Sequence, residues 1–284
     1  MPAAHVTLVE VSPRDGLQNE KRLLPAETKV ELVDRLSAAG FSAIEVTSFV
    51  SPKAVPQLAD AAEVMARIRR APGVRYSVLT PNLRGYESAV AAKADAIVVF
   101  GSASETFSQR NINCSVADSL ERFRPVVAAA RAAGIGVRGT VSCALGCPYE
   151  GAIAPEAVAR VARELLALGV QELSIADTIG VGDPDGTRRV MEAVLAHAAP
   201  AQVNGHFHDT YGHAIANISA CLDLGICSFD ASVAGIGGCP FAPGATGNVA
   251  TESVLALLVS RGLETGVDAA AVDEIGRWIR AQLS

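Results

Sequence analysis

Residues Val203–Asn217 read VNGHFHDTYGHAIAN. Side chains of an extended strand alternate between its faces, so His206 and His208 project together while Phe207 turns the other way. Asp209, Thr210 and Gly212 end the strand, and the following AIANISACLDLG reads as a helix. The unit is therefore strand, polar turn, helix, with two imidazoles at the C-terminal end of the strand. In parallel α/β folds that end is where ligands bind. Of the five histidines in the chain, three fall between positions 206 and 213. A lone strand histidine is commonly a hydrogen-bonded neighbour of the core, whereas a pair at i and i+2 suits a metal ion.

Outward from this stretch the same unit recurs. β-rich runs lie at 6–11, 43–49, 75–80, 96–101, 136–142, 172–177, 202–208 and 228–234. Amphipathic helical patterns fit between and after them at 27–39, 57–70, 83–92, 116–133, 155–168, 185–199, 213–224 and 248–260. Eight alternating units without a dividing linker predict one domain over residues 1–284, a closed (β/α)8 TIM barrel, with a doubly wound open sheet as the alternative. A ninth helix at 268–282 is expected as a short C-terminal helical extension in which Trp278 packs.

Composition narrows the function classes. Half of the residues are apolar, yet no apolar run approaches the roughly eighteen residues of a membrane span. The net charge is -6, and Lys and Arg are scattered, which argues against a nucleic-acid surface. The opening MPAAHVTLVEVSPRDG has neither signal-peptide nor transit-peptide character, so the cytoplasm is the expected location. The six cysteines then read as reduced thiols. Cys143 and Cys147, with no matching second pair, are a weak zinc signal.

A barrel demands that functional residues lie at the C-terminal strand ends. Arg14 and Asp15 follow the first strand, either as a salt bridge or as a guanidinium for an anionic substrate oxygen beside a carboxylate ligand. Glu45, inside the apolar run AIEVTSF, is costly to bury unless paired or functional. Asp177 ends the sixth strand, as a site carboxylate or a helix cap. Asn248 reads as the N-cap of the next helix or as a neutral oxygen ligand. The segment GIGGCPFAPGATGN at 235–248 lacks the Gly-Lys-Ser/Thr ending of a P-loop, and its glycine density predicts a lid that brings Cys239 to a reacting atom.

These residues lie in longer matching motifs: VEVSPRDGLQNE (9–20), IEVTSFVSPK (44–53), RNINCSVADSLERF (110–123), VSCALGCPYEG (141–151), ADTIGVGDP (176–184), HFHDTYGHAIAN (206–217) and GIGGCPFAPGATGN (235–248). In this order the chain resembles the 3-hydroxy-3-methylglutaryl-CoA lyase family, within the metal-dependent barrel superfamily that includes isopropylmalate and homocitrate synthases. The resemblance implies that Asp15, His206, His208 and Asn248 bind Mg2+ or Mn2+, where the imidazole pair alone suggests Zn2+. It also implies that Arg14, Asp15, Glu45, Asp177 and Cys239 serve catalysis. Gln18, Arg138 and Thr140 are expected to join Arg14 in binding substrate.

The implied reaction is the metal-dependent retro-Claisen cleavage of 3-hydroxy-3-methylglutaryl-CoA to acetyl-CoA and acetoacetate, as in leucine degradation. The expected partner is an acyl-CoA, without nucleic acid or membrane. A homodimer is expected because apolar barrel exteriors often pair. Two positions depart from the family: Ala54 stands where it often carries Trp, and Thr140 where it often carries Tyr, leaving room for a bulkier acyl group. The competing classes are a condensing synthase, which usually has a longer C-terminal extension, a metallohydrolase, and a non-catalytic barrel. The hydrolase spacing HxHxDH is not met, because Asp209 follows His208 directly.

Overall fold

The computed structural model describes residues 5–238 and 247–284. Among them, eight parallel strands close into a barrel in sequence order. They are β1 (Thr7–Glu10), β2 (Ala43–Ser48), β3 (Arg75–Leu79), β4 (Ala96–Ser102), β5 (Gly136–Ser142), β6 (Glu172–Asp177), β7 (Val203–Phe207) and β8 (Ser228–Ala231). β8 returns to β1, with Thr7 opposite Ser228 and Glu10 opposite Ala231, which excludes the open sheet. Strands covered on both faces need apolar residues nearly throughout, and that is why these segments read as continuous apolar runs.

The surrounding helices are α1 (Ala26–Ala38), α2 (Ala61–Arg67), α3 (Leu83–Ala91), α4 (Glu105–Ile112), α5 (Val116–Ala132), α6 (Pro155–Leu168), α7 (Pro184–Leu195), α8 (Ala214–Asp223) and α9 (Thr251–Ser260), followed by α10 (Ala269–Leu283). Several start where a side chain captures an otherwise orphaned backbone N–H: Asn82 takes that of Gly85, Ser104 that of Phe107, Ser115 that of Asp118 and Asp183 that of Gly186. Trp278 of α10 packs against the core with the Arg35 guanidinium 4.5 Å from its ring centre, as expected. No described helix is long and apolar enough to cross a membrane.

Three local features differ from the sequence reading. Residues Ser12–Gly16 form a single turn of π-helix, in which the carbonyl of Val11 accepts the N–H groups of Arg14, Asp15 and Gly16 at 3.1, 2.8 and 3.1 Å. α4 was not anticipated because only Phe107 and Ser108 of its eight residues are buried, which leaves no apolar period to detect. The helix expected from position 248 starts at Thr251, because residues before it are drawn alongside the end of β7. Asn248 is therefore not a helix cap.

β7 carries His206, with His208 directly after it, and one glycine shapes the strand. A Cβ at Gly205 would lie 2.6 Å from the ring of Phe207 and 3.1 Å from that of Phe229, so the two buried rings occupy the space a side chain would need. Gly205→Ala is expected to cost about 1–3 kcal/mol by overpacking. Urea unfolding measures it; a variant as stable as the parent would mean that the rings yield freely.

Candidate functional site

The π-helical turn after β1 places Arg14 and Asp15 over the mouth of the barrel. Arg14 donates from Nε to Oε1 of Glu45 on β2 at 2.5 Å and from Nη1 to Oδ1 of Asp15 at 2.5 Å. Arg14 and Glu45 are both buried. Burial disfavours the Arg14 charge, but Glu45 and Asp15 outweigh it and hold the guanidinium protonated above its usual range. Burial likewise opposes ionisation of Asp15, yet Arg14 and the two imidazoles keep its carboxyl well below the usual range. The salt bridge expected between Arg14 and Asp15 is present, and it stands at the barrel mouth.

Asp15 turns its other oxygen to the histidines. Oδ2 lies 3.9 Å from Nε2 of His206 and 3.9 Å from Nε2 of His208. One ligand atom from each of the three residues falls within 4.8 Å of the others. Asn248 joins them from the far side of the glycine segment. The Asp209 N–H donates to the Gly247 carbonyl at 2.8 Å and the Val249 N–H to the Phe207 carbonyl at 3.0 Å, so the chain runs antiparallel to His208 at this point. Nδ2 of Asn248 donates to Asp15 Oδ2 at 2.9 Å; a half-turn of the carboxamide would present Oδ1 instead.

A residue missed in the sequence orients this cluster. Asp230 on β8 accepts from Nη2 of Arg138 at 2.7 Å through Oδ1, and its Oδ2 lies 3.0 Å from Nδ1 of His206. That contact engages Nδ1 and turns Nε2 toward Asp15, the arrangement by which an outer carboxylate fixes a metal-ligating imidazole. The signal was a carboxylate inside the apolar run SFDASVA, the same signal that singled out Glu45. Burial raises the Asp230 carboxyl and lowers His206, but Arg138 outweighs the first and Asp230 the second, leaving Asp230 below and His206 above their ordinary values.

The groups form a chain of alternating charge through the barrel: Glu172, Arg138, Asp230, His206, Asp15, Arg14, Glu45. Arg75 also pairs with Glu172 at 3.0 Å, so with a neutral imidazole the four carboxylates and three guanidiniums sum to -4 + 3 = -1. A cation would be drawn to that negative charge, and the donors at hand, two imidazoles with carboxylate and carboxamide oxygens, suit a divalent ion. Arg138 was expected to meet substrate. It lies buried beneath the histidines, its guanidinium paired with Asp230 and, at 3.5 Å, with Glu172, because an unpaired cation at that depth would be prohibitive.

Thr140, two residues on along β5 and so on the same inner face as Arg138, is half-buried; Gln18 is half-buried after the π-helical turn, and Ala54 is exposed in the loop after β2. Asp177 is buried at the end of β6 and accepts from the N–H groups of Val181 and Gly182 at 3.2 and 2.9 Å. It closes its own turn rather than capping α7, and burial raises its carboxyl above the ordinary value. Cys239 and most of the expected lid lie outside the described residues. The flanking glycines pack as a neck: Gly237 and Gly247 have φ of +117° and +92°, and a Cβ on Gly247 would lie 2.1 Å from the Gly237 carbonyl oxygen.

A profile of the HMGL-like family matches residues 5–279. The chain is 58% identical over 278 residues, 98% of it and 93% of the relative, to the 3-hydroxy-3-isohexenylglutaryl-CoA/hydroxy-methylglutaryl-CoA lyase of Pseudomonas aeruginosa. It is 54% identical over 275 residues, 97% of it and 80% of the relative, to the cytoplasmic 3-hydroxy-3-methylglutaryl-CoA lyase of Mus musculus. The crystal structure of the HMG-CoA lyase from Brucella melitensis superposes with a TM-score of 0.97 at 55% identity, covering 99% of each chain.

Asp230→Asn, which weakens the hold on His206, is expected to reduce Mn2+ affinity by about 10–100-fold. Calorimetric titration reads this directly. Affinity equal to that of the parent would remove Asp230 from any part in orienting the imidazole.

Proposed function

This chain belongs to the HMGL-like family, and from that premise we propose that it cleaves 3-hydroxy-3-methylglutaryl-CoA to acetyl-CoA and acetoacetate with the help of one Mg2+ or Mn2+. It is a carbon–carbon lyase whose catalytic domain spans residues 1–284. The observation that carries the reading is Asp15 Oδ2 standing 3.9 Å from both imidazole Nε2 atoms, beneath a guanidinium already tied to Glu45.

Asp15, His206, His208 and Asn248 are the residues that would hold the cation, which when bound supplies Lewis-acid polarisation of the C3 hydroxyl. The protein's own groups do the rest. A carboxylate of the rim takes the hydroxyl proton; Asp15 and Asp177 are the candidates. The C2–C3 bond then breaks, its electron pair entering the thioester as an enolate while C3 becomes the ketone of acetoacetate. Arg14 uses two of its five N–H donors on Asp15 and Glu45, which leaves others for the oxygen of that enolate. Glu45 keeps the guanidinium from swinging away. Gln18 and Thr140 are assigned to the substrate's flanks. Cys239 is assigned to return a proton to the enolate carbon, completing acetyl-CoA.

A second reading concerns the acyl group. The relative named for 3-hydroxy-3-isohexenylglutaryl-CoA is 58% identical to this chain, and small residues stand at Ala54 and Thr140. We propose that larger 3-alkyl substituents are also accepted. A cytoplasmic homodimer acting in leucine degradation completes the proposal.

The test supplies 3-hydroxy-3-methylglutaryl-CoA with and without EDTA and measures acetoacetate. Product that disappears with EDTA and returns with Mn2+ is expected; undiminished product with EDTA refutes the cation, and product only from a 2-oxo acid plus acetyl-CoA points to a synthase. Arg14→Met is expected to lower turnover by roughly 10²–10⁴. Thr140→Tyr is expected to lower kcat/KM for the isohexenyl substrate by about 10–200-fold while sparing the methyl one. Equal losses on both would refute the size argument.

A further inference from the structure

One side of the site is held from outside the barrel. After β8 the chain passes through Ala234, whose φ of 59° and ψ of 11° lie in the left-handed region that a residue with a Cβ avoids. Both of its backbone groups are gripped. The N–H donates to the two carboxylate oxygens of Glu252 on α9 at 2.9 and 3.1 Å, and the carbonyl accepts from Nη2 of Arg280 on α10 at 2.5 Å. The glycine at 276 lets α10 come this close, since a Cβ there would be 2.6 Å from Oε1 of Glu252.

The turn leads straight to the proposed ligands. Beyond Ala234 the carbonyl of Ile236 accepts from Oγ of Ser232 at 2.8 Å and from Nδ2 of Asn248 at 3.4 Å. The Ser232 N–H donates to the Val249 carbonyl at 3.1 Å and the Thr251 N–H to the Ser232 carbonyl at 3.1 Å, so the turn and the Asn248 segment are laced together. The same Asn248 amide touches Asp15. The end of α10 is tied to the loop between β1 and α1, where Nη1 of Arg22 donates to the Ser284 oxygen at 2.6 Å.

We infer that Arg280 is a positioning residue for the metal centre: by holding the Ala234 carbonyl it keeps a left-handed turn in place and so sets Asn248 against Asp15. It touches neither substrate nor cation and acts through Ala234, Ile236 and Asn248. The inference rests on the reading of Asp15, His206, His208 and Asn248 as the ligands of one divalent cation.

Binding of Mn2+ to the full chain, followed by the electron-spin signal of the free ion, tests it with the parent, Arg280→Ala, Arg280→Lys and the double variant Arg280→Ala with Ala234→Gly. Arg280→Ala is expected to weaken Mn2+ about tenfold, the order of the conformational penalty on a left-handed residue with a Cβ. Arg280→Lys, which keeps a donor for the carbonyl, retains most of the affinity. The double variant recovers to within about twofold of the parent, because glycine adopts the turn unaided. KM for the acyl-CoA stays unchanged throughout, a split that general loss of structure would not give. Parent-like Mn2+ binding by Arg280→Ala overturns the inference and leaves the metal reading standing; a loss that glycine does not rescue overturns it as well. If the parent itself takes up no Mn2+, the metal reading falls and the inference with it. Should Arg280→Ala not fold, Arg280→Met, which keeps the length of the side chain but has no donor, replaces it in the same comparison.

Discussion

Charges buried in a barrel have to be answered by other charges, and that constraint organises this molecule. Asp15 answers to both halves of the chain at once: one oxygen meets Arg14 beside it, and the other faces two imidazoles and a carboxamide more than 190 residues further on. Below it Asp230 serves His206 and Arg138 in the same divided way. Neither carboxylate could satisfy two partners if the strands that carry them were free to slide. The closed hydrogen-bonded ring of eight strands fixes their spacing.

Such a chain of charges is a poor way to gain stability. Desolvating each group costs several kcal/mol, and apolar replacements of buried ion pairs are often neutral or better. Its worth lies in position and potential. The groups hold one another in single orientations, and with a neutral imidazole and Arg75 on Glu172 they leave one negative charge uncompensated. A cation entering beside Asp15 would meet that charge, which ties affinity for the ion to the whole column.

Much of this was legible in the sequence because barrels convert strand order into spatial neighbourhood. The eight strands fell within a few residues of their places, since each is a β-rich run closed by a polar turn. His206 and His208 announced themselves by their i, i+2 spacing, and Glu45 by being a carboxylate among apolar neighbours. Asp230 carries the same mark, but nothing local says that its partners are Arg138 and His206, 92 and 24 residues away. The π-helical turn was hidden by a proline and a glycine that suggest an ordinary loop. A strand arginine such as Arg138 gives no hint of its depth, and an alanine such as Ala234 gives none of a left-handed backbone.

The ligands proposed for the ion are therefore of two kinds. Asp15, His206 and His208 stand on or directly after barrel strands, whose pairing leaves them little freedom. Asn248 does not: its place depends on the Gly237–Gly247 neck, on Ile236, and through Ala234 on helices α9 and α10. Linkage makes that dependence mutual, because whatever the neck contributes to holding the ion, the bound ion returns to holding the neck. Cys239 lies in the sequence between the two sides of that neck. An ion held by Asp15 and Asn248 would thus also hold Gly247 against Gly237, the two described sides of that neck.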